Sequence, residues 1–135
     1  MKKGHTFQTV LAVAALGLAV LTGACSISTA HIKSAKLTTD KAGTQETAVF
    51  AADQVFYCIV QLANAPDDTK VKADWTAVSV EGAAPNTKID AVEKTVGDST
   101  ITFDLTNNKP WPKGSYKVDL YLNDKLDRTL EFQVK

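Results

Sequence analysis

The sequence predicts an all-β fold, a seven-stranded antiparallel sandwich, from three observations. After residue 30, apolar and polar residues alternate in short runs, which is the period of a strand with one buried face. Residues that favour turns separate these runs about every 8–12 residues. No segment after residue 30 has the period of a helix of credible length. Strands connected by tight turns then pair with their neighbours and bury one face each.

The first three predicted strands contain the most apolar part of the chain. In the first, residues 31–39, Ala35 and Leu37 share a face but Ile32 does not, so we expect a bulge or a change of sheet. Residues 55–62 are apolar on both faces, which is typical of a central strand. The third begins at residue 70 and directs Trp75 into the core.

The last four predicted strands end in a hairpin. Residues 87–96 are weakly patterned and predict an edge strand, with charges that discourage pairing with another chain. Residues 101–105 alternate cleanly. Two further alternating strands lie on either side of Asn123 and Asp124, a two-residue turn without glycine, so we expect a positive φ at Asp124.

The first 24 residues predict a cleaved signal peptide. Lys2 and Lys3 form a short positive region, and residues 10–21 carry no charge. A helix of this run would be about 18 Å long, too short for a hydrocarbon core of about 30 Å. A positive start followed by an apolar run of this length is typical of a signal peptide.

The residues around Cys25 resemble the processing site of bacterial lipoproteins. Small residues lead from the apolar run to Cys25. The resemblance implies a diacylglycerol on the Cys25 thiol, cleavage before it, and a lipidated tether over residues 25–30. This tether would reach at most about 18 Å beyond Cys25. Alternatively, ordinary signal peptidase cuts after Ala30 and releases a soluble periplasmic or secreted protein, or Cys25 is an incidental thiol.

The net charge and the resemblance to lipoproteins limit the classes of partner and the cellular location that we expect. Removal of Lys2 and Lys3 leaves 13 basic and 15 acidic residues, so we expect no nucleic-acid partner. We expect the membrane as a partner through the lipid anchor, and a protein partner in the bacterial cell envelope. The resemblance favours the outer membrane over the inner one, because Ser26 rather than Asp follows Cys25. The oligomeric state stays open.

Residues 31–135 are predicted to form one domain, which resembles immunoglobulin-like and fibronectin type III-like sandwiches. Trp75 on the third strand and Cys58 on the second occupy positions typical of immunoglobulin domains. Tyr116 stands where a corner tyrosine bonds back to the backbone. Val118 occupies the place of the second cysteine, so the resemblance implies an apolar contact with Cys58 instead of a disulfide.

Few residues of the sequence are suited to catalysis or metal binding, and we expect neither an enzyme nor a cofactor. After cleavage His31 is the one histidine, which excludes a copper site of two His, Cys and Met. No close His and Cys grouping predicts zinc. Asp67 and Asp68 lack calcium-loop spacing and predict a solvated turn. Cys58 is expected to be buried. The remaining carboxylates alternate outward, and an enzyme that uses scattered acids is the third alternative.

Aromatic side chains are the candidate binding feature. Trp111 lies between two prolines in a loop, and Tyr121 and Tyr57 point away from the predicted core. Together they could contact a glycan, a small ligand or a protein partner. The alternative is that Trp111 caps the open end of the sandwich. We therefore expect a non-catalytic envelope lipoprotein that binds or scaffolds another component near the membrane, or a ligand-binding lipoprotein that uses Trp111.

Overall fold

The structure, a computed structural model, describes residues 29–135, which form eight β-strands in two sheets. The strands are β1 His31–Thr38, β2 Val49–Phe50, β3 Phe56–Ala63, β4 Thr69–Val80, β5 Thr87–Val96, β6 Thr100–Leu105, β7 Gly114–Leu122 and β8 Lys125–Val134. Within residues 29–135 there is no helix. The all-β prediction is confirmed for these residues, whereas the predicted signal peptide (1–24) and Cys25 lie outside them.

The prediction of seven strands in a purely antiparallel sandwich is wrong in one detail. The additional strand, β2, has two residues and pairs in parallel with the end of β8. So short a strand has no alternation, and periodicity cannot detect it. One sheet has the order β1-β3-β6, and the other β2-β8-β7-β4-β5. The predictions of a central β3 and an edge β5 are confirmed, as is a bulge in β1, whose register shifts between Ile32 and Ser34.

The core lies between the sheets and is rich in aromatic rings. Phe56 on β3 packs against Phe50, Trp111 and Phe132 with ring centroids 4.7–4.8 Å apart. Trp75 is fully buried, as predicted, and its ring lies 6.1 Å from that of Phe132. Each such aromatic pair adds about 0.5–1.5 kcal/mol beyond the apolar area it buries.

The start of β7 has the corner geometry that its sequence predicts. The Tyr116 hydroxyl donates a hydrogen bond to the carbonyl of Pro112, four residues upstream. Gly114 is required here, because its φ is 142° and a Cβ atom would lie 2.2 Å from the carbonyl oxygen of Ser79. Two residues after Tyr116, Val118 is fully buried in the same cluster as Cys58, which is a free thiol.

The β7–β8 turn also connects to β4. Asn123 and Asp124 have φ values of 48° and 69°, the conformation of a two-residue type I′ turn. The Asn123 amide N–H donates to the Lys70 carbonyl, and the Asn123 side-chain oxygen accepts from the Lys70 N–H, both at 2.9 Å. The turn therefore stabilises the beginning of β4 as well as its own hairpin.

At two sheet edges, side chains form hydrogen bonds with backbone groups that face away from the sheet. Lys94 Nζ donates to the Thr102 carbonyl of β6 at 3.0 Å. On β2, the Thr47 hydroxyl donates to the Val49 carbonyl and accepts from the Val49 N–H, at 2.8 and 3.0 Å. These contacts occupy groups that another strand would use, and they protect β6 and β2 from edge-to-edge pairing.

The two ends of the sandwich carry different parts of the chain, because β1 starts at one end and the strands then alternate in direction, except for the short β2, which runs parallel to β8. We call the end at which β1 begins the N-terminal end. The connections at this end are residues 64–68, 97–99 and 123–124. We call the opposite end the far end, and its segments are residues 39–48, 51–55, 81–86, 106–113 and Lys135.

Candidate functional site

The described part of the chain enters the sandwich at its N-terminal end. Cys25 itself lies outside the described residues, but Ala30 borders the same shallow depression as Asn123 and Lys125 in the β7–β8 turn. A lipid on Cys25 would therefore hold this end near the membrane. Within residues 29–135, no helix has the length and apolarity that crossing a membrane requires.

Trp111 is buried, which agrees with the interpretation that it caps the open end of the sandwich and not with the one in which it offers an exposed ring. Its exposed fraction is 7%. The indole stacks on Phe56 at 4.7 Å, and its N–H donates to the Gln54 carbonyl at 3.1 Å. The Trp111 backbone N–H donates to the Ala52 carbonyl at 2.8 Å. These contacts fold the loop over the open end of the core.

A small cleft remains beside Trp111 at the far end. It has a volume of about 250 Å³ and lies between the 51–55 and 106–113 loops. Asp53, Asn107, Asn108 and Lys109 line it and are exposed. The cleft offers polar contacts but no open aromatic face, because Phe56 covers one face of Trp111 and little of the indole reaches solvent.

Tyr121 and Tyr57 lie on opposite faces of the molecule, so the predicted group of three aromatic side chains does not form. Tyr121 is half-buried on the outer face of the five-stranded sheet, where Lys72 Nζ lies 4.5 Å from its ring centre. Tyr57 is half-buried on the central strand of the other sheet, on the side opposite the buried Phe56. Sequence alternation places each ring outside the core but does not say which sheet it faces.

A pair of carboxylates on the outer face of the five-stranded sheet was not anticipated. Asp74 on β4 is directly opposite Asp119 on β7. Asp74 Oδ2 lies 3.3 Å from Lys88 Nζ, whereas Asp119 contacts Lys117 at 3.4 Å and accepts from the Thr129 hydroxyl. Asp74 Oδ1 is buried and has no hydrogen-bond partner among the described residues. The two acids lie on a sheet face, outside the cleft beside Trp111.

The other candidate residues are Cys58 and His31. Cys58 is buried as predicted, and burial raises the pKa of its thiol to about 12, so the thiol stays protonated near neutral pH. His31 is exposed, and its ring Nδ1 lies 3.0 Å from the Thr29 carbonyl. Within residues 29–135, no three His, Cys, Asp or Glu side chains form a group that could hold a metal ion.

Structural comparison identifies the sandwich type. No protein-family model matches the sequence, and neither does any curated protein sequence. An immunoglobulin-like protein from Pseudomonas aeruginosa superposes with a TM-score of 0.56 and 17% identity, over 78% of this chain and 96% of that protein. The fold is immunoglobulin-like. The DNA glycosylase AlkC from Pseudomonas fluorescens superposes with a TM-score of 0.50 and 19% identity, over 78% of this chain and 30% of the glycosylase. At these identities the likeness concerns the fold alone.

Proposed function

We propose that this protein is a non-catalytic lipoprotein of the bacterial cell envelope, in which an immunoglobulin-like domain binds or scaffolds another envelope component near the membrane. The observation that carries the proposal is the position of Ala30 at the N-terminal end, five residues after Cys25 and opposite the far-end loops. The sequence around Cys25 supplies the anchor, and the fold supplies a rigid module beyond it.

The proposed anchor fixes how the domain is presented. The tether keeps the N-terminal end within about 18 Å of Cys25. The longest strand, β4, has 12 residues, which at roughly 3.3 Å per residue gives about 40 Å. The far-end loops would then lie some tens of ångströms from the lipid surface, within reach of other envelope proteins. The resemblance to lipoproteins with Ser after the cysteine favours the outer membrane.

A binding role suits the side chains of the domain better than catalysis does. The Cys58 thiol is buried and protonated, and Asp74 and Asp119 are held by lysine side chains on an open face. The alternative role, a glycan or small-ligand binder that uses an exposed Trp111, is not retained, because the indole packs against Phe56.

Metabolic labelling tests the anchor, and Cys58 provides a matched control. Cells that express the protein are fed radioactive palmitate. We expect label on the wild type and on Cys58→Ala, and no label on Cys25→Ala. An unlabelled wild type, or a labelled Cys25→Ala, would contradict the anchor.

Crosslinking in intact membranes tests the binding role. Membranes from cells that express the wild type or Cys25→Ala are treated with a lysine-reactive crosslinker, and adducts are identified by mass spectrometry. The expected result is a reproducible envelope protein joined to exposed lysines of the domain, and loss of this adduct in Cys25→Ala because the domain leaves the membrane. Recovery of the wild type without any adduct would argue against the binding role.

A further inference from the structure

The two sheets do not join along the side where β1 faces β8, and this gap is only partly closed. Arg128 on β8 reaches across it and donates to the Ile32 carbonyl of β1 at 2.9 Å. Toward the far end, β2 pairs with Gln133 and Val134 of β8. Between these two contacts lies a groove of about 440 Å³, lined by Ala35, Lys36, Leu37, Glu46, Thr47, Ala48, Thr129, Leu130 and Glu131.

The edge of β8 in this groove presents unpaired backbone groups. The Gln133 N–H donates to the Ala48 carbonyl, away from β7. Because backbone direction alternates along a strand, the N–H and C=O groups of Thr129 and Glu131 point the same way, into the groove. The β7–β8 register is regular from Arg128 onward. Within residues 29–135, β8 pairs only with β7 and, at Gln133 and Val134, with β2, and the turn and loop hydrogen bonds give these groups no backbone partner either.

The facing edge of β1 is open in the same place. The Leu37 carbonyl accepts from the Thr47 N–H, away from β3. By the same alternation, the backbone groups of Ala35 face the groove. The side chains of Ala35 and Leu130 are partly buried against the core and provide an apolar floor.

We propose that this groove is a docking site for an extended peptide segment, which adds to β8 as a short strand. The proposal rests on the binding role above and names the kind of partner. Two features select an extended peptide as the occupant: the unpaired groups of Thr129 and Glu131, and their continuity with the β2–β8 pairing. The open edge accommodates about three extended residues, roughly 10 Å. Affinity in this mode comes from main-chain hydrogen bonds.

Charge favours a basic side chain on the incoming segment. The rim carries Glu46, Glu131 and Lys36, a net charge of −1 from one lysine and two glutamates. The other open edges of the sandwich differ from this one. Thr47 and Lys94 already occupy backbone groups on β2 and β6. The remaining edge strand outside the groove, β5, carries exposed Glu93 and Lys94, charged residues that discourage pairing, which leaves the β8 edge as the better template.

The test uses the mature ¹⁵N-labelled protein in detergent micelles. The probe is a seven-residue peptide of alternating threonine and valine with a central lysine, capped at both ends. In the free protein, we expect the amide hydrogens of Thr129 and Glu131 to exchange much faster than those of Leu130 and Phe132, which point to β7. Saturating peptide should slow exchange at Thr129 and Glu131. A peptide N-methylated at every residue should not, because neither of its edges has an N–H to donate to the β8 carbonyls.

Two substitutions at Glu131 distinguish the contribution of its backbone N–H to peptide binding from that of its side chain. Glu131→Pro removes the groove-facing N–H and should weaken peptide binding about fivefold, the equivalent of one net hydrogen bond. Glu131→Ala keeps the N–H and should bind within about twofold of the wild type. Thermal unfolding of both variants checks the fold, and the N-methylated peptide remains decisive if Glu131→Pro does not fold.

The inference is overturned if millimolar peptide leaves the Thr129 and Glu131 amides unprotected, if the N-methylated peptide binds equally well, or if protection falls on β5 instead. These failures are distinct from failure of the proposed function. A palmitate-labelled protein with a crosslinked partner at another surface would refute the groove alone. A peptide-binding groove on a protein without lipid would refute the anchor alone.

Discussion

Replacement of Trp111 by alanine tests whether this side chain closes the core or serves a ligand. Trp111 is almost fully buried, with an exposed fraction of 7% for the residue. It stacks on Phe56 and donates one hydrogen bond to the Gln54 carbonyl. If these contacts stabilise the domain, Trp111→Ala must lower the free energy of unfolding.

The expected loss follows from the contacts that the truncation removes. Removal of a buried Trp side chain costs about 3–5 kcal/mol, within a total stability of about 5–15 kcal/mol for a domain of this kind. Trp111→Phe keeps a ring against Phe56 but loses the indole N–H bond, worth about 0.5–1.5 kcal/mol. Because Phe also buries less apolar area than Trp, its expected cost is about 1–2 kcal/mol, which makes it the matched variant.

Urea unfolding followed by far-ultraviolet circular dichroism measures both variants without relying on tryptophan fluorescence. With a slope of about 2 kcal/mol per molar urea, a loss of about 4 kcal/mol in Trp111→Ala moves the midpoint down by about 2 M. The slope should not change. A loss below about 0.5 kcal/mol in Trp111→Ala would refute the capping role and return Trp111 to the candidate ligand contacts.

Two further predictions concern buried or opposed ionisable groups. Burial raises the pKa of the Cys58 thiol from 9.0 to about 12, so above pH 9 the unfolded chain binds fewer protons than the native one and the free energy of unfolding falls. The stability difference between wild type and Cys58→Ala should therefore decline between pH 9 and 12 in urea titrations, and a constant difference would contradict burial as the cause. Asp74→Asn removes a charge opposed to Asp119 and should raise the free energy of unfolding by a few tenths to about 1 kcal/mol. This gain should shrink in 1 M NaCl, and a loss of stability at low salt would show that the contact of Asp74 with Lys88 outweighs the repulsion.

The sequence predicts those parts of the fold that follow from local pattern. In β3, alternation assigns Phe56 and Cys58 to the buried face, because adjacent residues of a strand point to opposite sides. Tyr116 is recognisable from Gly114 two residues earlier and from its position before an alternating strand. The two-residue β2 has too few residues to show a pattern.

The candidate sites depend on long-range contacts, and for this reason alternation does not reveal them. Trp111 lies in a loop between prolines, and only the packing of Phe56 and Gln54 against it decides its exposure. The opposition of Asp74 and Asp119 depends on the register of β4 with β7. The groove between β1 and β8 exists because edges of two different sheets face each other.

The mass of the intact mature protein, extracted from membranes with detergent, tests the proposed role most directly. A lipid-anchored domain predicts a chain that begins at Cys25 and carries the added mass of a diacylglycerol, with or without an acyl chain on its amine. Mild alkaline hydrolysis should remove the ester-linked chains and leave residues 25–135 with a thioether-linked glyceryl group on Cys25, together with any amide-linked acyl chain on its amine. An unmodified chain that begins at His31 would contradict the anchor, because cleavage after Ala30 would have removed Cys25 and released the domain from the membrane.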